Sequence, residues 1–258
     1  MPEIMWRILG MKRKLIAVFL MLIMLCTCLV GCGGNSASPK DKYGIISSSE
    51  AEVEQIKKIM KVEDEKEVSE MTFYLGTIKG ENVVLVKNEL GKVNAALATQ
   101  ILLDKFGVTK IIGADCFTSL KDDYEEGSLV VARDTIQSDF DASGAGYAVA
   151  EIPDTGLGAF ATDVDLHKSA LDIIKKEASG ATVYEVSICS GDKYELSKAE
   201  IDKIVEDHDG DVYDMDSAAI GQVCYLSGTP YIIIGTISGP ETPNENVAKI
   251  VQKLVEVE

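Results

Sequence analysis

A single α/β domain, with a mixed and mostly parallel central sheet flanked by helices on both faces, is predicted by three observations. Over residues 43–258, short apolar runs alternate with amphipathic stretches of helical length, the pattern of strands joined by covering helices. Some runs, such as Tyr231–Ile237, are apolar throughout rather than alternating, which marks strands covered on both faces. A hydrophobic content of 46% in 258 residues is enough for one large core, and the length suits one such domain better than two small ones.

Taken in order, residues 43–47 form a short apolar strand. Ser49 then opens a helix with apolar positions at Val53, Ile56, Ile59 and Met60. Ser49 and Glu52 have capping-box spacing, in which serine bonds the N3 amide and glutamate reaches back. Residues 71–78 and 82–87 read as strands paired around Gly80-Glu81-Asn82. Residues 91–106 are a helix rich in alanine and leucine, closed by Gly107, and 110–113 and 128–134 are buried strands. The segment 139–162 is rich in Gly, Ala and Asp without a period, so it reads as a long loop of the kind that often carries function. A helix over 166–176, a strand over 181–188 and a helix over 197–206 follow, with Ser197 and Glu200 again in capping-box spacing. Asp211 to Asp216 is a short strand that runs into a helix over 217–226, ended by Ser227-Gly228. Strand ends of this kind are where open α/β sheets place ligand-binding groups. A strand over 231–237 and an amphipathic helix over 244–257 complete the domain.

The formal net charge of −17 opposes binding to a phosphate backbone, so no nucleic-acid partner is expected. At the N-terminus, Lys12-Arg13-Lys14 precedes an apolar run from Leu15 to Leu25, the arrangement of an export signal. The following Leu29-Val30-Gly31-Cys32 resembles the lipobox of bacterial lipoproteins. That resemblance implies cleavage before Cys32, lipid on Cys32, and a protein held on the outer face of a bacterial membrane. The expected organisation is a signal peptide over 1–31, a lipidated cysteine and polar tether over 32–42, and the folded domain over 43–258. Residues 1–31 carry four basic residues and one acid, so their removal takes the net charge to −20. Of the six cysteines, Cys116, Cys189 and Cys224 stay in the folded domain, an odd number in no metal-like spacing. Neither a disulfide framework nor a metal site is expected, and Cys189 and Cys224 read as buried thiols.

Five stretches resemble, in order and spacing, the methylthioadenosine/S-adenosylhomocysteine nucleosidases, which have the purine nucleoside phosphorylase-like fold. They are Gly44-Ile45-Ile46 leading into Glu50-Ala51-Glu52-Val53, Gly91-Lys92-Val93-Asn94-Ala95-Ala96, Gly127-Ser128-Leu129-Val130-Val131, Ser190-Gly191-Asp192 and Asp214-Met215-Asp216-Ser217-Ala218. The resemblance spans the whole folded domain. It implies hydrolysis of the bond between ribose and adenine in an adenine nucleoside, no cofactor, and a homodimer. Such chemistry needs a base to activate water, contacts to an oxocarbenium-like ribose, and an acid that protonates the departing purine.

On that resemblance Glu52 matches the water-activating glutamate, a role compatible with its capping box. Tyr194 falls where an aromatic stacks on the purine, and its alternative is an edge-of-core aromatic. Met215 matches the methionine under the ribose, and Asp214 stands beside it. Asp216 takes the place of a glutamate that holds the ribose hydroxyls, shorter by one methylene, and is also a fitting N-cap for the helix from Ser217.

Three departures bear on catalysis. Ser238-Gly239 stands where the family reads Ser-Asp, so Ser238 keeps its place at the substrate while Gly239 lacks the proton-donating side chain. Gly235 replaces an arginine that orders the ribose-side carboxylates. Gly113 to Ser119 replaces a small-residue turn that approaches the nucleoside, which puts Cys116 and Phe117 at the substrate and makes the bulky Phe117 narrow the pocket. Glu241 is a replacement acid in reach by sequence, restrained by Pro240. Cys116 reads either as a nucleophile or as a packing thiol. Two readings result: a surface-anchored nucleosidase with impaired chemistry, or a non-catalytic lipoprotein that binds a nucleoside or other small molecule. A phosphorylase is disfavoured, because Arg133 is the only arginine after residue 13.

Overall fold

The computed structural model describes residues 41–237 and 245–256. Cys32 and the segments assigned to signal and tether before residue 41 lie outside the described residues, as do Ser238, Gly239 and Glu241.

The elements run β1 Lys42–Ser47, α1 Glu50–Ile59, β2 Lys61–Val68, β3 Met71–Ile78, β4 Glu81–Lys87, α2 Lys92–Asp104, β5 Lys110–Ser119 and β6 Leu129–Gln137. After a 3-10 turn at Ser143–Ala145 come β7 Phe160–Ala161, α3 Val164–Glu177, β8 Val183–Ser190, α4 Lys198–His208, β9 Val212–Asp214, α5 Ser217–Ser227, β10 Tyr231–Ile237 and α6 Glu245–Glu256. Each predicted strand and helix is present. Two strands go beyond the prediction: the two-residue β7, inside the segment read as a long loop, and β2, whose sequence KVEDEKEV is exposed along most of its length and pairs only with β3, antiparallel, at the edge of the sheet.

The sheet order is β10-β6-β8-β9-β5-β1-β4-β3-β2, with β7 beside β6. Strands β4, β1, β5 and β10 run parallel to one another, as do β6, β8 and β9, while β3 joins β4 and β7 joins β6 antiparallel. Antiparallel seams at β10/β6 and β5/β9 join the two groups. Because β10 pairs with both β5 and β6, the strands β5, β10, β6, β8 and β9 close into a ring.

Helices cover both faces, as the apolar runs require. Val53 and Ile56 of α1, Ala170 and Ile174 of α3 and Val247, Val251 and Leu254 of α6 pack on one face against Ile45, Leu85, Ile112 and Ile232. Ala95, Ala98 and Leu102 of α2 and Ala219, Ile220 and Cys224 of α5 pack on the other against Ile46, Val84, Ile111 and Val130. A smaller cluster under α4 joins Leu196, Ile201 and Ile204 to Leu120, Ile136 and Tyr213.

Local chemistry sets the helix ends. The Ser49 hydroxyl accepts the Glu52 amide at 3.3 Å, and Glu50 and Glu52 in the first turn with Lys57 and Lys58 in the last complement the dipole of α1. Ser197 and Glu200 form the full capping box of α4. The N-cap assignment of Asp216 is corrected. It occupies that position but makes no side-chain cap bond, and the Asp214 carboxylate accepts the Ser217 amide at 3.1 Å instead. Asp216 is drawn away by the amide of Gly91, which it accepts at 2.8 Å.

Candidate active site

A cavity of about 490 Å³ opens at the carboxyl ends of β1, β5 and β9. That is the end of a parallel sheet where ligands bind, because loops and helix N-termini converge there. Its polar wall is made by Ser48, Ser49, Asp115 and Asp214, and its apolar wall by Leu90, Leu196, Ile201, Met215 and the Tyr194 ring. The volume is in the range of small-molecule sites.

Side chains far apart in sequence are tied together under this cavity. The Ser190 hydroxyl donates to Asp214 and accepts the Ala218 amide at 2.9 Å, joining the end of β8 to the start of α5. Ser217 donates its hydroxyl to Asp214. The Gly91 amide reaches Asp216 from a backbone at φ 109°, a conformation that only glycine adopts without strain. Asp115 holds the β1–α1 connection: one of its oxygens accepts both the amide and the hydroxyl of Ser48 at 2.8 Å, and the other accepts the Cys116 amide at 2.9 Å.

The loop that carries Tyr194 is pinned from both sides. The Tyr213 hydroxyl is shared between the carbonyls of Gly191 at 2.9 Å and Lys193 at 3.0 Å. Asp192 accepts the Lys92 amide at 3.0 Å, and Asp139 accepts the Asp192 amide at 3.0 Å while pairing with the Lys92 ammonium. The long loop after β6 therefore contributes Asp139 as a brace for the cavity rim. The Tyr194 ring is 64% exposed, so it stands open at the cavity mouth rather than at the edge of the core.

Of the residues singled out from sequence, Tyr194, Asp214, Met215 and Cys116 come together on the cavity wall. Glu52 is fully buried in the first turn of α1, next to the wall residue Ser49, and Asp216 is 3% exposed behind the Ser48–Gly91 side. The placement of Phe117 at the substrate is corrected. β5 continues to Ser119, and side-chain alternation along it sends Phe117 to the face of Ile111, where it is wholly buried with Val130, Ala132 and Ile220. It fills the space in front of Gly235, whose added Cβ would lie 2.6 Å from the Phe117 ring. Cys116 points the other way, with its sulfur 3.8 Å from the Thr236 hydroxyl. Cys189 and Cys224 are buried, as expected.

Three carboxyls at this end carry altered proton affinities. Burial pushes Asp115 up to about 6, against the hydrogen bonds from Ser48 and Cys116. Burial also pushes Asp216 up to about 8, with the neighbouring Asp214 and Asp115 carboxylates adding to it. Asp214 is raised by burial against its serine hydrogen bonds. Raised carboxyl values favour the protonated native state, a stabilisation fully present below the ordinary value of 3.8 and lost as the pH climbs through about 6 and then about 8. The melting temperature is therefore expected to fall by several degrees between about pH 5 and pH 8.5, at about 2–4 °C per kcal/mol for a domain of this size. Asp216→Asn should flatten that fall. A scanning-calorimetry profile of equal slope in the variant would refute the assignment.

The chain matches the model of the phosphorylase superfamily over residues 42–257. It is 31% identical over 212 residues to the 5′-methylthioadenosine/S-adenosylhomocysteine nucleosidase of Anoxybacillus flavithermus, covering 79% of this chain and 88% of that protein. A nucleosidase of the same name from Colwellia psychrerythraea, solved with adenine, superposes with a TM-score of 0.75 at 27% identity, over 84% of this chain and 95% of that one. The corresponding enzyme of Neisseria meningitidis, solved with methylthio-immucillin-A, gives a TM-score of 0.78 at 25% identity, over 84% of this chain and 100% of that one. The chain belongs to the phosphorylase superfamily and, within it, to the family of the 5′-methylthioadenosine/S-adenosylhomocysteine nucleosidases.

Proposed function

We propose that this protein is a surface-anchored member of the nucleosidase family whose cavity holds an adenine nucleoside such as methylthioadenosine or S-adenosylhomocysteine, with N-glycosidic hydrolysis impaired. The observation that carries the reading is the convergence of Tyr194, Met215 and Asp214 on one cavity at the carboxyl ends of the strands. An exposed aromatic ring offers a π-face for a purine, Met215 an apolar floor, and the carboxyls acceptors for sugar hydroxyls. The relatives solved with adenine and with methylthio-immucillin-A support a purine nucleoside as the ligand class. The impairment rests on Gly239, which has no side chain to protonate the leaving base. Glu52 is the group assigned to water activation.

The test uses residues 41–258, since the match to this part of the chain covers 100% of the solved Neisseria chain. Calorimetry should show saturable binding of methylthioadenosine. Chromatography should show adenine release slow enough to approach that of a Glu52→Gln control. Absence of binding overturns the ligand assignment, and rapid release overturns the impairment.

The anchoring half of the proposal rests on Leu29-Val30-Gly31-Cys32 after a basic, apolar leader. Expressed in full length in a bacterium that processes lipoproteins, the wild type should fractionate with membranes and carry a lipid mass on Cys32. Cys32→Ala should lack that lipid mass. Equal lipid labelling of the two proteins would disprove the assignment.

A further inference from the structure

Charge is distributed one-sidedly in this cavity. Its described wall contains three acidic residues, Asp115, Asp214 and Glu195, and no lysine or arginine. Behind it Asp216 adds a fourth carboxyl, close enough to Asp214 and Asp115 for their charges to act on it. Among the described residues, the hydrogen bonds to Asp115, Asp214 and Asp216 come from serine hydroxyls and backbone amides. The lone arginine of the domain, Arg133, is occupied elsewhere, on Asp211 at 2.9 Å and the Glu185 carbonyl at 3.0 Å. The Lys92 ammonium is held by Asp139 at the rim. Nor can the neighbouring strand supply a cation: Gly235 pairs with Asp115 across β10 and β5, and its added Cβ would sit 1.9 Å from the Asp115 carbonyl oxygen. The segment 238–244, Ser-Gly-Pro-Glu-Thr-Pro-Asn, contributes no basic residue by sequence. The carboxyls are not grouped as metal ligands either: among the described residues no set of three or more His, Cys, Asp or Glu side chains is arranged to hold an ion.

Buried like charges are held ionised at a cost that an opposite charge relieves, and among the described residues of the cavity wall there is none. We propose that the cavity selects a ligand with a positive charge on its sugar side, such as a nucleoside bearing a protonated amine in place of a ribose hydroxyl, and that Asp115 determines this preference. The proposal rests on the nucleoside reading above and specifies the charge class of that ligand. Asp115 is suited to the task because the Ser48 and Cys116 donors fix its carboxylate on the wall without neutralising it. An ammonium meeting it would form charge-assisted hydrogen bonds, which are about twice as strong as neutral ones.

The matched probes are adenosine, 2′-amino-2′-deoxyadenosine and 3′-amino-3′-deoxyadenosine, titrated calorimetrically into residues 41–258 near neutral pH. At least one amino nucleoside should bind about tenfold or more tightly than adenosine. Asp115→Asn, which keeps one acceptor oxygen for Ser48, should weaken binding of the amino nucleoside about tenfold more than it weakens binding of adenosine, and so erase that margin. Asp115→Ser serves as a second variant, with melting curves on both to establish folding. Equal or weaker binding of both amines overturns the charge preference and leaves the nucleoside reading intact. An equal loss for amine and adenosine in Asp115→Asn reduces Asp115 to a clamp for the Ser48 loop and overturns its assigned role. If none of the three probes binds, the nucleoside reading falls and this inference falls with it.

Discussion

Replacing Gly239 by aspartate is expected to raise adenine release from methylthioadenosine by at least about 10²-fold, the lower end of what a positioned general acid contributes. The purine leaves as an anion unless it is protonated, and the proton must come from a group beside the base. The cavity already holds carboxyls, but Asp115 and Asp214 are engaged by Ser48, Ser190 and Ser217. Tyr194, the group assigned to the base, stands at the mouth beside Glu195 and Leu196. In sequence Gly239 follows Ile237, the last residue of β10, by two positions, and β10 itself pairs with β5, the strand that carries Asp115. Gly239→Asn is the informative partner: it restores a side chain of equal size without an acidic proton. Chromatographic rates should rank aspartate far above asparagine and glycine. Equal rates for aspartate and asparagine would show that proton donation at 239 is not what limits this protein.

Much of the fold was legible because its strands are buried on both faces and its helices carry clear apolar stripes. The runs at 43–47, 110–113 and 231–237 and the stripe of the last helix are of this kind. β2 was not legible. Its residues are charged and exposed, and only backbone pairing with β3 makes it a strand, which no side-chain pattern encodes. The site was legible in part. Tyr194, Asp214, Met215 and Cys116 follow from motif spacing, and the structure brings them to one cavity. The sequence misplaces Phe117 because the apolar run of β5 ends at Gly113 and 114–119 show no strand pattern. Six further residues of strand keep the alternation going and turn its ring into the core. Asp115 shares the parity of Phe117 on β5, so alternation does not reveal its place on the cavity wall. Its role depends on the Ser48 loop of another strand, a contact between residues 67 apart. The strand-end rule could have flagged it, since Asp115 is an acidic residue near the carboxyl end of a buried parallel strand.

Gly235→Ala is expected to destabilise the domain by more than about 3 kcal/mol, because the clash it creates is with backbone. Its Cβ would lie 1.9 Å from the Asp115 carbonyl oxygen and 2.6 Å from the Phe117 ring. Gly113→Ala, in the same pair of strands, provides the control. Its Cβ would meet the Ile233 Cδ1 atom at 2.3 Å, but that is the end of a flexible side chain, and the next contacts are at 3.5 Å. A rotamer change relieves it, so the expected cost is about 1–2 kcal/mol. Denaturant midpoints at unchanged slope would measure both. Phe117→Ala added to Gly235→Ala should not restore stability, since it removes the ring contact, leaves the carbonyl contact, and opens a cavity in a wholly buried site. A Gly235→Ala protein as stable as Gly113→Ala would refute the argument. The consequence for design is an asymmetry between positions 235 and 239. An acid can be introduced at position 239 by one substitution, whereas an arginine at 235 must displace both a strand carbonyl and a core phenylalanine. Glycine at 235 and the buried ring of Phe117 thus form one packing solution, in which Phe117 fills the space that a side chain at 235 would need.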